Sequence, residues 1–195
     1  MLAFAVFGGP VPDITVANIT DFLGSPMPGL TQGMVDASLA AVRRWCRWHV
    51  TPRRSETFTV DVDGRLARLP SLRVTDVVSV VDADSGMFSG VSWSEVGVLT
   101  LPAIPQGFRA LTVEVEHGWP LGEVPDVLAV VASIARRFAA GGLAAAAGQL
   151  GPVVREQIGA YQYGMSDAFA SALGTTQLLD GEREMLANYR ISTIE

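Results

Sequence analysis

Cys46 and His49 stand three residues apart, a spacing at which a thiol and an imidazole on one helical turn can serve as nucleophile and base. His117 is the other histidine, and Glu114 with Glu116 is the nearest thing to an acid pair. Each has a plainer reading. Cys46 continues the apolar series Val35, Leu39, Val42, where a cysteine acts as a small hydrophobe. His49 belongs beside Trp48 at a helix end, where imidazolium suits the C-terminal dipole. His117 falls on the apolar side of a strand, next to the turn at Gly118 and Pro120, as a hydrogen-bonded, half-buried side chain. Glu114 and Glu116 point the same way from that strand, as a solvated face does. Two separated histidines and one cysteine do not make a zinc site, and one cysteine makes no internal disulfide. No phosphate-cradling, dinucleotide or nucleophile-elbow string occurs. No catalytic set, metal or cofactor is expected.

The elements that carry these residues are legible from periodicity. Asp13 or Thr15 can cap a helix running to Leu23, stopped by Gly24. Thr31 can cap a second helix reaching about Trp48. It carries the stripe Val35, Leu39, Val42, Cys46, with Asp36, Arg43, Arg44 and Arg47 on its other side. Thr57–Val62 alternates as a strand, Asp63 and Gly64 signal a hairpin, and Arg65–Leu69 returns. Val74–Val81 and Val98–Leu101 are further strands. Ala110–His117 alternates with Leu111, Val113, Val115 and His117 on one face. Pro125 opens a third helix with the stripe Val127, Val130, Val131, Ile134 and Phe138, leaving Ser133, Arg136 and Arg137 off it. Gly141 and Gly142 are expected to end that helix. Val153–Tyr163 reads as extended, and Asp180 caps a last helix closing near Arg190. The fold class expected is α+β: a small helical core of three to four helices, an antiparallel β-rich part and extended terminal arms.

Hydrophobic residues make up 49% of the 195 and charged residues 17%, enough for a sizeable core. The net charge of −6 is unevenly spread. Val74–Glu123 holds seven acids against one base, whereas Arg43–Arg54 holds five arginines and no acid. Surfaces of opposite sign suit head-to-tail association between copies. All fourteen bases are arginine, which makes bidentate, partly desolvated pairs better than lysine does. The cluster with Arg43, Arg44 and Arg47 admits a protein interface, a solvated face or a contact to nucleic acid through Trp45 and Trp48. The protein interface is the reading preferred. Tyr161 and Tyr163, on one side of their extended segment, are the other candidates for contacts between subunits. Met1–Pro10 lacks the basic start of a signal peptide, and no run of about 18 apolar residues is present. A cytoplasmic origin without membrane contact is expected.

Four stretches, in order, carry a resemblance. They are Val16–Gly24 (VANITDFLG), Ala37–Val50 (ASLAAVRRWCRWHV), Leu111–Trp119 (LTVEVEHGW) leading into Val124–Arg137 (VPDVLAVVASIARR), and the closing Glu156–Tyr163 with Glu182, Leu186, Tyr189 and Arg190. Together they cover most of residues 13–191, and the chain resembles the head-to-tail adaptor (head-tail connector) proteins of long-tailed bacteriophages, particularly those of actinobacterial phages. The resemblance implies one adaptor domain over 1–195: an N-terminal arm at 1–12, a β-rich insertion at 55–118 in a helical core, and a docking helix and tail at 176–195. It implies a structural virion protein of the neck, made in the host cytoplasm. About twelve copies would form a ring beneath the portal. The ring would continue the DNA channel without reading sequence and would present a platform to the next neck protein, the stopper. Arg183, Tyr189, Arg190, Ile191 and Ile194 would dock on the portal. Removing the final helix with residues 192–195 should then leave the core folded and abolish portal binding.

Two other readings compete. A stopper or tail terminator would be mainly β, against the helices here. A small cytoplasmic hydrolase would need a convergent polar set. Replacing Cys46, His49 and His117 together separates an enzyme, which would lose activity, from an adaptor, which would still assemble.

Overall fold

The computed structural model describes residues 14–82, 86–104, 111–146, 155–158, 161–164 and 174–192. The expected N-terminal arm at 1–12 lies outside them, as do the last three residues of the expected docking helix and tail at 176–195. The protein is α+β; the described residues form four α-helices, two four-stranded antiparallel sheets and one two-stranded sheet. It divides into two compact units, one built from Asp13–Trp45 and Pro125–Asn188, the other from Cys46–Val124 and the segment beginning at Tyr189.

The first unit is mainly helical. Helix α1 spans Val16–Leu23. The Thr15 hydroxyl accepts from the Asn18 N–H (3.2 Å), and Asn18 Oδ1 accepts from the Thr15 N–H (2.8 Å). Two otherwise orphaned donors are thereby satisfied reciprocally. Gly24, at φ +70°, closes the helix. Helix α2 spans Gln32–Cys46. Gln32 ties it to α1: its amide donates to the Ile14 carbonyl (3.0 Å) and accepts from the Val16 N–H (3.1 Å). Val35, Leu39, Val42 and Cys46 are all buried, as the period-3.6 stripe requires. The helix stops two residues before the expected Trp48 because Arg47 turns left-handed at φ +69°.

Helix α3 spans Pro125–Ala146 and runs through Gly141 and Gly142, which were expected to end it. Each glycine costs about 1 kcal/mol relative to alanine, but the flanking alanines are the strongest helix formers. Strands β9 (Arg155–Ile158) and β10 (Tyr161–Gly164) pair antiparallel, with Tyr161 opposite Ile158 and Tyr163 opposite Glu156. The segment read as extended is thus a strand pair. Helix α4 spans Asp180–Met185. Asp180 is its first residue, and the cap position expected of it belongs to Leu179.

The second unit is β-rich. One sheet has the order β1 (Arg54–Val60), β8 (Leu111–His117), β4 (Val74–Asp82), β5 (Gly86–Met87). The other has β2 (Val62–Asp63), β3 (Leu66–Arg68), β7 (Val98–Thr100), β6 (Ser92–Trp93). The stretch expected as one strand over Thr57–Val62 breaks at Asp61, and its halves enter different sheets. The Gly64 hairpin joins β2 to β3, with Asp63 opposite Leu66. Both sheets feed one core, in which Phe58, Val80, Leu111, Val113 and Val115 meet Ala67 and Leu99. Period-2 alternation puts Leu111, Val113, Val115 and His117 inside and Thr112 and Glu114 outside. Among the described residues no helix is long and apolar enough to cross a membrane.

Candidate interaction surfaces

The groups that could do chemistry come first. His117 is fully buried, not half-buried as expected, and its Nε2 lies 2.9 Å from Glu56 Oε2. The same oxygen accepts from Arg54 Nε (3.1 Å) and Nη2 (2.6 Å). Aromatic rings close around the imidazole: Phe58 edge-on at 5.2 Å, His49 at 5.6 Å and Trp48 at 6.3 Å. Burial alone would raise the Glu56 carboxyl, but hydrogen bonds from His117 and Arg54 outweigh it and hold the group below its ordinary value. An imidazole oriented by a carboxylate is half of a catalytic triad. Here the pair sits inside the protein with an arginine on the same oxygen, so it stitches β1 to β8.

His49 lies beyond the end of α2 and is itself buried, with its Nε2 hydrogen-bonded to the Pro52 carbonyl. Cys46 is fully buried, and burial pushes its thiol up to about 12. Almost no thiolate exists there near neutral pH. Among the described residues no cluster of three or more His, Cys, Asp and Glu could hold a metal.

In the helical unit the functional candidates meet a feature that periodicity concealed. Arg137, expected off the apolar stripe of α3, is only 3% exposed. Its guanidinium donates to both oxygens of Glu182, to Ser133 Oγ (3.0 Å) and to the Gln177 carbonyl (2.9 Å). Glu182 Oε2 in turn accepts from the Leu179 N–H (2.9 Å), satisfying the start of α4. Burial would raise this carboxyl too. Hydrogen bonds from Arg137, the Leu179 backbone and Ser133 dominate and lower it. With Leu186 fully buried as well, the last helix packs one side into its own unit, while Asp180, Glu184 and Met185 stay exposed.

The five docking candidates are therefore not equivalent. Arg183 projects from α4, bonds Asp180 (3.1 Å) and lies over the Trp45 ring at 5.3 Å. Tyr189 and Ile191 are held by the β-rich unit. The Tyr189 carbonyl accepts from Trp48 Nε1 (2.6 Å), and its ring stands edge-on to Trp119 at 6.5 Å. The Ile191 N–H donates to the Cys46 carbonyl (3.0 Å). Arg190 is exposed, and Ile194 lies outside the described residues. Of the subunit-contact candidates, Arg44 is exposed and Arg43 and Arg47 are half-buried. Tyr161 and Tyr163 lie two residues apart on β10, and their side chains are outside those described. Arg137, Glu182 and the Trp48–Tyr189 contact were missed in the sequence, where no local pattern marks them.

The β-rich unit also carries an open groove of about 530 Å³. Its apolar lining comes from Val60, Val62, Leu66, Leu69 and Ile191. Its charged lining comes from Arg47, Asp61, Asp63 and Arg68. On the outer face of the first sheet, Asp76 lies opposite Glu116, and Glu114 is exposed nearby.

No protein-family model matches the chain, and no curated protein does. Among solved structures it is similar to a chain in the neck of a native GTA particle computed with C12 symmetry, at 16% identity and a TM-score of 0.49. It is also similar to one in the neck of an empty GTA particle computed with C6 symmetry, at 17% identity and a TM-score of 0.47. A chain in the virion of the native gene transfer agent particle matches at 18% identity and a TM-score of 0.46. Each match covers 93% of this chain and 100% of the other. Likeness at this level assigns no role.

Proposed function

We propose that the chain is a structural component of a phage-like neck. In this reading it is the adaptor that forms a ring beneath the portal, joins the DNA-filled head to the tail and continues the DNA channel. The observation that carries the reading is the order of its parts. A β-rich unit, Cys46–Val124, interrupts a helical unit between its second and third helices. That is the arrangement the sequence resemblance implies. The polar groups most able to do chemistry, Cys46, His49, Glu56 and His117, are all spent on internal packing and hydrogen bonds. The acids on the outer face of the first sheet suit a surface past which DNA slides without being held.

Portal docking in this reading falls to Arg183, Tyr189, Arg190, Ile191 and Ile194, with Tyr189 and Ile191 already anchored to their own chain through backbone groups. Arg43, Arg44, Arg47, Tyr161 and Tyr163 serve the contacts between copies in the ring, and the opposite rim receives the stopper. The test is electron microscopy of the protein mixed with the portal assembly of the same genome, against each alone. An added ring of density on the narrow end of the portal supports the adaptor role and gives the copy number. No association at concentrations where both are folded overturns it.

A further inference from the structure

The first sheet ends on β1, whose register with β8 runs unbroken from Arg54 to Val60. Among the described residues nothing outside the sheet hydrogen-bonds the backbone of Ser55–Val60. Natural sheets blunt a long outer strand with a charge, a proline or a bulge. The bare part of β4 is blunted in this way, by the exposed Asp76 and two breaks in register against β8. β1 is not. Its exposed residues, Ser55, Thr57 and Thr59, are uncharged, and the inward Glu56 is spent on Arg54 and His117.

We propose that β1 pairs antiparallel with β1 of a second copy, about a two-fold axis at Thr57, so that two four-stranded sheets become one continuous sheet. This is the register that pairs all seven residues of the strand. On the exposed face it sets Ser55 opposite the second copy's Thr59, and Thr57 opposite its own counterpart. Hydroxyl side chains suit such directly opposed positions. Just beyond the strand ends, the exposed Arg53 of each copy meets the exposed Asp61 of the other, so opposite charges meet twice. The pair goes beyond the ring reading and does not rest on it. A ring joins copies head to tail, so a two-fold pair belongs to the free protein and has to come apart before a ring closes.

Sedimentation of the full-length protein by itself tests the inference. A dimer whose share grows with concentration is expected. Thr57→Lys sets like charges together at the axis, and Asp61→Arg sets them together at both ends. Each should weaken the dimer at least about ten-fold. Both bring the net charge of −6 closer to zero, so lost pairing reflects the local contact and not overall repulsion. Val78→Lys adds a charge at an exposed position on β4 and should change the association less than about two-fold. A chain monomeric at every concentration overturns the inference and leaves β1 to a strand of a different protein. A dimer indifferent to Thr57→Lys, or abolished by Val78→Lys, overturns it in favour of another face. A separate measurement needs no substitution. Amide hydrogen exchange across β1 should slow several-fold from dilute to concentrated solution, and unchanged exchange there also overturns the inference.

Discussion

Arg137 and Glu182 lie 45 positions apart in sequence and meet as a buried, two-pronged ion pair between α3 and α4. Such a pair stabilises little in net terms, because both charges leave water, but breaking one side strands the other. Arg137→Met or Glu182→Leu alone should each cost about 3–5 kcal/mol in denaturant unfolding. The double substitution should recover much of that loss. A double variant no more stable than the singles would mean the pair is not the source of the cost.

The same carboxylate and Glu56 set a pH dependence. Both have folded-state values lowered from an ordinary 4.5. A lowered folded value means the unfolded chain binds protons first as pH falls. The stabilisation is therefore complete above about pH 5 and is lost progressively as pH drops through 4.5 toward the folded values. Melting temperature followed from pH 7 to pH 3 should fall in that window. Glu182→Gln should flatten part of the fall, and an unchanged profile in that variant would contradict the assignment.

Gly97 offers a backbone test. It sits in the turn before β7 at φ +76°, and an added Cβ would lie 2.7 Å from the Ser71 carbonyl oxygen. Gly97→Ala should cost well over 1 kcal/mol, combining left-handed strain with the collision. Gly64, at φ +61° with open space around it, carries the strain alone, so Gly64→Ala should cost about 1 kcal/mol. Chemical denaturation of the two variants side by side measures the difference, and equal costs would contradict the close approach at Ser71.

Cys46 should be inert in the native protein. Its thiol is fully buried and pushed up to about 12. A thiol reagent at pH 8 should label it only as fast as the protein unfolds, and stoichiometric labelling within seconds in the absence of denaturant would contradict this.

Deletion of residues 180–195 should unfold or strongly destabilise the helical unit, since Glu182 and Leu186 are interior. Circular dichroism of the truncated chain checks this. Arg183→Glu, at a half-buried residue, and Arg190→Glu, at an exposed one, are the better probes of portal binding, because neither touches the buried Arg137–Glu182 pair. They should weaken it while leaving the melting temperature within about 1–2 °C of the parent.

What the sequence revealed was local. The cap at Thr15, the α2 stripe through Cys46 and the alternation into His117 each depend on neighbours within a turn or a strand, and each is present. What it concealed was set at a distance. Arg137 looks like a surface residue until Glu182 arrives to neutralise it. Thr57–Val62 alternates without interruption, and only the competing partners Leu111 for Val60 and Ala67 for Val62 divide it at Asp61. The helix beyond Gly141 shows how good neighbours override a weak residue. The candidate docking residues were visible as types, but Tyr189 and Ile191 found partners in their own chain that no spacing foretold.

Three of the four outer strands of the two sheets, β2, β5 and β6, are two residues long. A stray extended chain arriving at any of them would find room for little more than one rung of a ladder. Among the described residues two margins are long enough to template runaway strand growth: β1, seven residues from Arg54 to Val60, and the part of β4 before Val80 that the two residues of β5 leave uncovered. Solubility at high concentration would then be decided along those two margins. A charge or proline placed on either should govern precipitation more than any change on β2, β5 or β6.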